Sequence, residues 1–397
     1  MTVMKNNQLL RLLEIFLVSV RLGCTSFGGP IAHLAYFHEE YVRRRKWIDE
    51  KTYVDLVALA QLLPGPASSQ VGIGIGVMRA GVLGGVVSFI GFTLPSVVVL
   101  ILFASVLLNV DVVTTGWIHG LKIVAVVVVA HAIVGMAKNL TPDLKTKALA
   151  LFALVCTLLW QVTGMQIVVI LVAAAVGFFL FKNAQQTTVS TSTVQVTKRV
   201  GIVCLSMFFG LLIILPVIRE VTDSYWISMI DSFYRSGSLV FGGGHVVLPL
   251  LEQEFVSNGW IGEENFLAGY GATQAVPGPL FTFAAYIGAV MNGWQGGLVA
   301  TVAIFLPAFL LVVGTLPFWD HLRNQSKILG VIKGVNAAVV GILISALYFP
   351  IWTHSILSPM DFALAAVLFS MLAFWKWPPW IIVMSGIVGG LLLSFFS

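Results

Sequence analysis

The feature that most constrains this chain is a succession of long apolar segments joined by short polar loops. Thirteen can be marked, at approximately 9–35, 52–77, 81–108, 117–137, 147–160, 164–181, 200–218, 226–250, 265–290, 296–318, 334–350, 361–375 and 379–396. An α-helix needs about 20 such residues to cross a bilayer. The runs are continuous and do not alternate, which selects helices over a β-barrel. Only 10% of the 397 residues are charged, against about 25% in soluble domains. The expected fold is an all-α polytopic membrane protein. Its net charge of +5 sits in short loops, as the positive-inside rule describes, and calls for no nucleic-acid partner. Residues 1–11 lack a cleavable signal, so the first segment is expected to stay in the mature protein.

Much of the sequence occurs twice. Arg21 to Pro30 contains Arg, Gly, Phe, Gly, Gly at the spacing repeated in Arg235 to Gly244, 214 positions later. Gln61-Leu-Leu-Pro-Gly-Pro66 pairs with Gln274-Ala-Val-Pro-Gly-Pro279. Glu40 to Val42 pairs with Glu254 to Val256, Trp47-Ile48 with Trp260-Ile261, Leu94-Pro95 with Leu306-Pro307, and Gly120 with Gly334. Offsets that stay between 212 and 214 over more than a hundred residues mark a tandem duplication. The chain divides into a first repeat at 1–182, a polar linker with one additional helix at 183–222, and a second repeat at 223–397.

Charge orients the halves. Residues 43–51 carry Arg43, Arg44, Arg45, Lys46 and Lys51, whereas 251–264 carry Glu252, Glu254, Glu263 and Glu264 and no Lys or Arg. Opposite charge in equivalent loops points to opposite sides of the membrane, hence inverted-topology repeats, a transporter arrangement. If the Phe-Gly-Gly and Pro-Gly-Pro segments are broken or re-entrant, nearly all basic loops share the cytoplasmic side with the N-terminus. The C-terminus is then periplasmic. Trp117, Trp226, Trp294, Trp352, Trp375, Trp377 and Trp380 read as an interfacial belt.

Glycine and proline breaks inside apolar runs free backbone N–H groups, and helix N-termini attract anions. The expected site is a duplicated, membrane-embedded oxyanion site. Arg21 and Arg235 either supply its positive charge or pair with a nearby acid such as Asp231. Gly28, Gly29, Gly242 and Gly243 allow close backbone approach or close helix packing. Gly65 and Gly278 sit in proline-flanked breaks that no regular helix accommodates. Ser26, Ser68, Ser69 and Thr282 offer hydroxyls to an anion or cap the restarted helices. Gln61 and Gln274 line the cavity or tie down freed carbonyls. His33 and His245 are gate or proton-coupling candidates, or buried structural histidines. Glu40 and Glu254 are candidate gates, and Lys122 is a third cationic contact or snorkels.

No nucleotide loop, HExxH or GxSxG elbow occurs, and Cys24, Cys156 and Cys204 show no metal spacing. No enzyme activity, cofactor or metal is expected. Phe27-Gly-Gly-Pro30, Gln61-Leu-Leu-Pro-Gly-Pro66 and their second copies resemble the chromate ion transporter family over essentially the whole chain, in its long two-domain form. The second copy departs from the pattern at Gly244, where the first has Pro30. The resemblance implies a multi-pass protein of the bacterial inner membrane that exports chromate and confers resistance, with sulfate as a competing anion. Sulfate uptake and an anion channel are the alternative readings. Membrane lipid is an expected partner, and a homodimer is a possible assembly.

Overall fold

The computed structural model describes residues 2–108, 116–160, 164–181, 196–241, 244–319 and 326–396. Among them there is helix and no strand, and the protein is an all-α polytopic membrane protein. Among the described residues five helical stretches are long and apolar enough to cross a bilayer. Most of the polar linker, 182–195, lies outside the described residues.

In the first half, α1 (Thr2–Thr25) ends at a break and α2 (Gly29–Phe37) restarts the helix. Gly28 at φ +97 makes the turn and Pro30 stands in the first turn of α2, where its missing N–H costs nothing. A π-helical turn (His38–Arg44) leads to α3 (Glu50–Leu62), capped by Asp49 accepting from Thr52 N at 2.8 Å. The Pro-Gly-Pro turn then opens α4 (Ala67–Leu107). Helices α5 (Gly116–Leu140), α6 (Leu144–Leu159) and α7 (Met165–Leu180) complete the half.

Helix α8 (Lys198–Val221) separates this set from its second appearance. There α9 (Tyr225–Leu239), α10 (Val247–Leu251), a π-helical turn (Glu252–Val256), α11 (Glu263–Thr273) and α12 (Phe283–Thr315) follow in the same order. The last three are α13 (Ser326–Ala346), α14 (Pro359–Ala373) and α15 (Pro379–Phe396). Special conformations recur as well. Gly65 and Gly278 hold φ +116 and +105, and Gly81 and Gly293 hold φ +68 and +57.

Helix α4 is two antiparallel arms. Ala80 and Gly81 leave helical geometry, and Ser88 Oγ on the outgoing arm donates to Gly72 O on the incoming one at 2.9 Å. A β-carbon on Gly84 would lie 2.2 Å from Gly76 O, so backbone packs on backbone. Asn292 and Gly293 divide α12 the same way, with Gly288 against Gly296.

The first break is a hairpin too. Arg45 Nη1 reaches Glu14 Oε1 at 3.0 Å, and Arg79 meets the same carboxylate at 2.7 Å and the Trp47 ring at 4.2 Å. The chain therefore passes from α1 through the glycine break and returns to the level of residue 14. In the second half, Tyr225 stacks on Trp260 and Phe233 on Phe255 across the corresponding return.

Scaffold helices are exchanged between halves. Gly120 of α5 packs against Gly386 and Gly390 of α15, and Gly330 and Gly334 of α13 pack against Gly177 of α7. Trp226, Trp294, Trp375, Trp377 and Trp380 are exposed, in keeping with a belt. Trp117 and Trp352 instead pack on the main core.

Candidate functional site

Two proline-flanked turns and two glycine breaks meet inside the protein, each turn against the break of the other half. Gly278 N donates to Ser26 O at 2.9 Å, and Gly65 N donates to Val240 O at 2.7 Å. Ser26 and Val240 each immediately precede a Phe-Gly-Gly run. The helix arms follow the same exchange, because Ser96 of α4 donates to Pro277 O at 2.6 Å and a β-carbon on Gly65 would strike Ala308 of α12 at 2.8 Å. The N–H groups of Gly65 and Gly278 are thus used between halves and do not face a ligand. Of these two candidate anion-binding glycines, Gly278 still lines the cavity described next, with its N–H already engaged.

One of the two crossings opens into a cavity of about 410 Å³. Gly28, Gly29 and Pro30 form one wall and Gln274 and Gly278 another. His245, Thr273, His131 of α5 and Lys376 of the α14–α15 loop add the remaining polar groups. No Asp or Glu is among the described lining residues. His245 Nδ1 shares a hydrogen bond with the Tyr270 hydroxyl at 2.8 Å, and His131 Nδ1 is buried with no partner. An electropositive, carboxylate-free cavity bounded by bare glycine backbone can receive an anion.

The arginines lie elsewhere. Arg21 approaches Glu40 at 3.8 Å and Arg235 approaches Glu254 at 3.7 Å, equivalent pairs across equivalent hairpins. Arg235 also bonds Asp231, whose side chain is 2% exposed and accepts from Arg219 at 3.1 Å. Glu40, 9% exposed, takes Arg45 Nε at 2.6 Å and Arg44 at 3.4 Å. Burial alone would raise the Glu40 carboxyl, but the Arg45 hydrogen bond and the charges of Arg45, Arg21 and Arg44 hold it below its ordinary value. The reading of a pairing acid is the one the geometry favours for both arginines. Lys122 is likewise engaged, with Glu264 at 3.2 Å.

The remaining candidates divide. His33 is buried, with Nδ1 3.3 Å from Ser68 Oγ and its ring edge-on to Phe92. Thr282 Oγ1 donates to Pro279 O at 2.7 Å and caps no helix N–H. Ser26 Oγ and Ser69 Oγ are buried without partners. Gln61 is exposed, and Gln70 ties down the Pro64 carbonyl at 2.8 Å in its stead. Gln274 lines the cavity while reaching Tyr270 O at 3.5 Å. Gly242 and Gly243 lie outside the described residues. His131, Thr273 and Lys376 were not among the sequence candidates. A histidine within the apolar run of α5 was the available signal, whereas Lys376 reads as an interfacial anchor among tryptophans.

With this geometry in place, known proteins supply the family. The family described as Chromate transporter matches residues 13–178 and 227–391, one stretch in each half. An uncharacterized transporter of Methanocaldococcus jannaschii is 25% identical over 341 residues, 84% of this chain and 83% of its own. A chromate transport protein of Pseudomonas aeruginosa is 25% identical over 336 residues, 83% of this chain and 79% of its own. A probable chromate transport protein of Synechococcus elongatus is 28% identical over 338 residues, 82% and 81% of the two chains. No solved structure matches. The twofold match, spanning both sets of hairpins and scaffold helices, places this chain in the chromate transporter family.

Proposed function

We propose that this protein is a secondary transporter that carries chromate, a tetrahedral dianion, out of the cytoplasm and so confers resistance to it. The observation that carries the reading is the 410 Å³ cavity where hairpin tips of both halves meet. Its polar lining comprises glycine backbone, amide, hydroxyl, imidazole and ammonium groups, which replace a hydration shell, beside apolar side chains such as Val128, Leu280 and Leu372. The start of α2 at Gly29 directs a helix N-terminus toward the same place.

In this reading the two halves are inverted in the membrane and the broken segments are re-entrant. Supporting it are the basic stretch at 43–51, the acidic stretch at 251–264, and the additional helix α8, the one helix among the described residues between the repeats. Non-helical backbone at depth is tolerated where protein shields it, as the interlocked tips do here. Rocking one half against the other would expose the cavity to each side in turn. Outward movement of an anion from a negative interior gains about 2.3 kcal/mol per charge per 100 mV.

Radiolabelled chromate and sulfate uptake into inverted membrane vesicles, with and without an imposed proton gradient, tests this. Concentrative chromate uptake is the expected result. Concentration of either anion only in right-side-out vesicles would mean import, and flux only down the gradient would mean a channel.

A further inference from the structure

Among the described lining residues the one lysine or arginine comes from a backbone position that disfavours it. Helix α14 ends at Ala373, and the chain leaves through a turn in which Trp377 N donates to Met371 O at 3.0 Å and Trp375 N to Ser370 O at 3.1 Å. Such a helix exit needs one residue in the left-handed region, where glycine carries no β-carbon penalty. Lys376 occupies it at φ +55. Among the described residues the other non-glycine at positive φ is Lys46, whose counterpart in the second repeat, Gly259, holds φ +72. Glycine serves this geometry at 259, whereas at 376 the chain keeps a side chain.

That side chain lines the cavity and makes no hydrogen bond or ion pair among the described residues. The arginines and Lys122, in contrast, already have carboxylates. His131 adds a buried ring nitrogen with nothing to bond, a condition that native structures rarely leave without a use.

From these observations we infer that Lys376 is the counter-charge of the anion held in the cavity, with His131 as its neighbouring hydrogen-bond partner. The inference rests on the cavity being the anion site. An ammonium on a flexible stem holds a tetrahedral dianion as a point charge and follows it as the site rearranges. A rigid bidentate clamp would bind more tightly and release more slowly, which transport does not favour.

The test is chromate and sulfate binding to the purified full-length protein by titration calorimetry, with thermal stability measured in parallel. Lys376→Gly relieves the left-handed strain, so its Tm should equal or exceed the parent's, while chromate affinity falls about tenfold or more. Lys376→Arg should bind chromate at least as tightly as the parent, and His131→Asn should lose less than His131→Leu. If the parent binds chromate and Lys376→Gly binds it equally well, the counter-charge role is wrong and the transport reading stands. If the parent binds neither anion, both fall.

Discussion

The backbone N–H of Gly278 donates to the carbonyl of Ser26 at 2.9 Å, joining the proline-flanked turn of the second repeat to the glycine break of the first. Its counterpart, Gly65 to Val240 at 2.7 Å, runs the other way. A broken helix leaves carbonyls without intrahelical partners, and each such group buried unpaired costs about 1–3 kcal/mol. Here the defect in one half is satisfied by the defect in the other.

Gly65→Ala should therefore destabilise the protein by about 2–4 kcal/mol and cut transport severely. Two terms contribute, the left-handed φ of +116 and a collision with Ala308 Cβ at 2.8 Å. Adding Ala308→Gly should restore part of the Tm, because it removes the collision and leaves the strain. A double mutant no better than the single would show that the tips do not pack in this way.

Asp231→Ala should cost about 2–4 kcal/mol, since it leaves Arg219 and Arg235 without their shared, buried carboxylate. Chromate affinity of the folded fraction should remain within about threefold of the parent. A selective loss of affinity without a fall in Tm would return the arginine to the anion site.

The Asp143 carboxyl is lowered to about 2, chiefly by a hydrogen bond from Lys333 at 2.8 Å and by Thr146 N. This links the α5–α6 loop to α13 of the other half. A depressed folded value means stability that is complete above the ordinary value of 3.8 and lost as pH falls toward 2. Asp143→Asn should lower Tm by about 1–3 °C at pH 7 and by much less at pH 2.

Glu252, in the acidic turn outside the apolar segments, is pushed up to about 7 by burial and then by the Glu263 charge. A raised carboxyl takes up protons in the folded state, so stability declines as pH rises from the ordinary 4.5 through 7. Glu252→Gln should raise Tm at pH 8 by about 2–4 °C and leave it unchanged near pH 4. Equal effects at both pH values would mean that the carboxyl is not buried against Glu263.

The breaks were legible in the sequence because glycine and proline act locally, and a constant offset shows that both copies carry them. That Pro-Gly-Pro of one half would meet Phe-Gly-Gly of the other was not legible, since no local pattern reports which tips touch. The arginine pairs left a signal that spacing alone does not interpret. Arg21 and Glu40 are as far apart in sequence as Arg235 and Glu254, and only a hairpin between them turns that separation into an ion pair. Lys376 was hidden by its neighbours, for a lysine between tryptophans is what a membrane interface ordinarily holds.

The exchange of scaffold helices, α5 with α15 and α13 with α7, is the contact two separate copies would make as a self-associated pair. Such a pair must present every residue on both sides, so a change that improves one crossing is imposed on the other. Joining the copies in a single chain lifts that obligation. Pro30 can then face a cavity while Gly244 stands in its place in the second copy, so the two crossings are free to diverge.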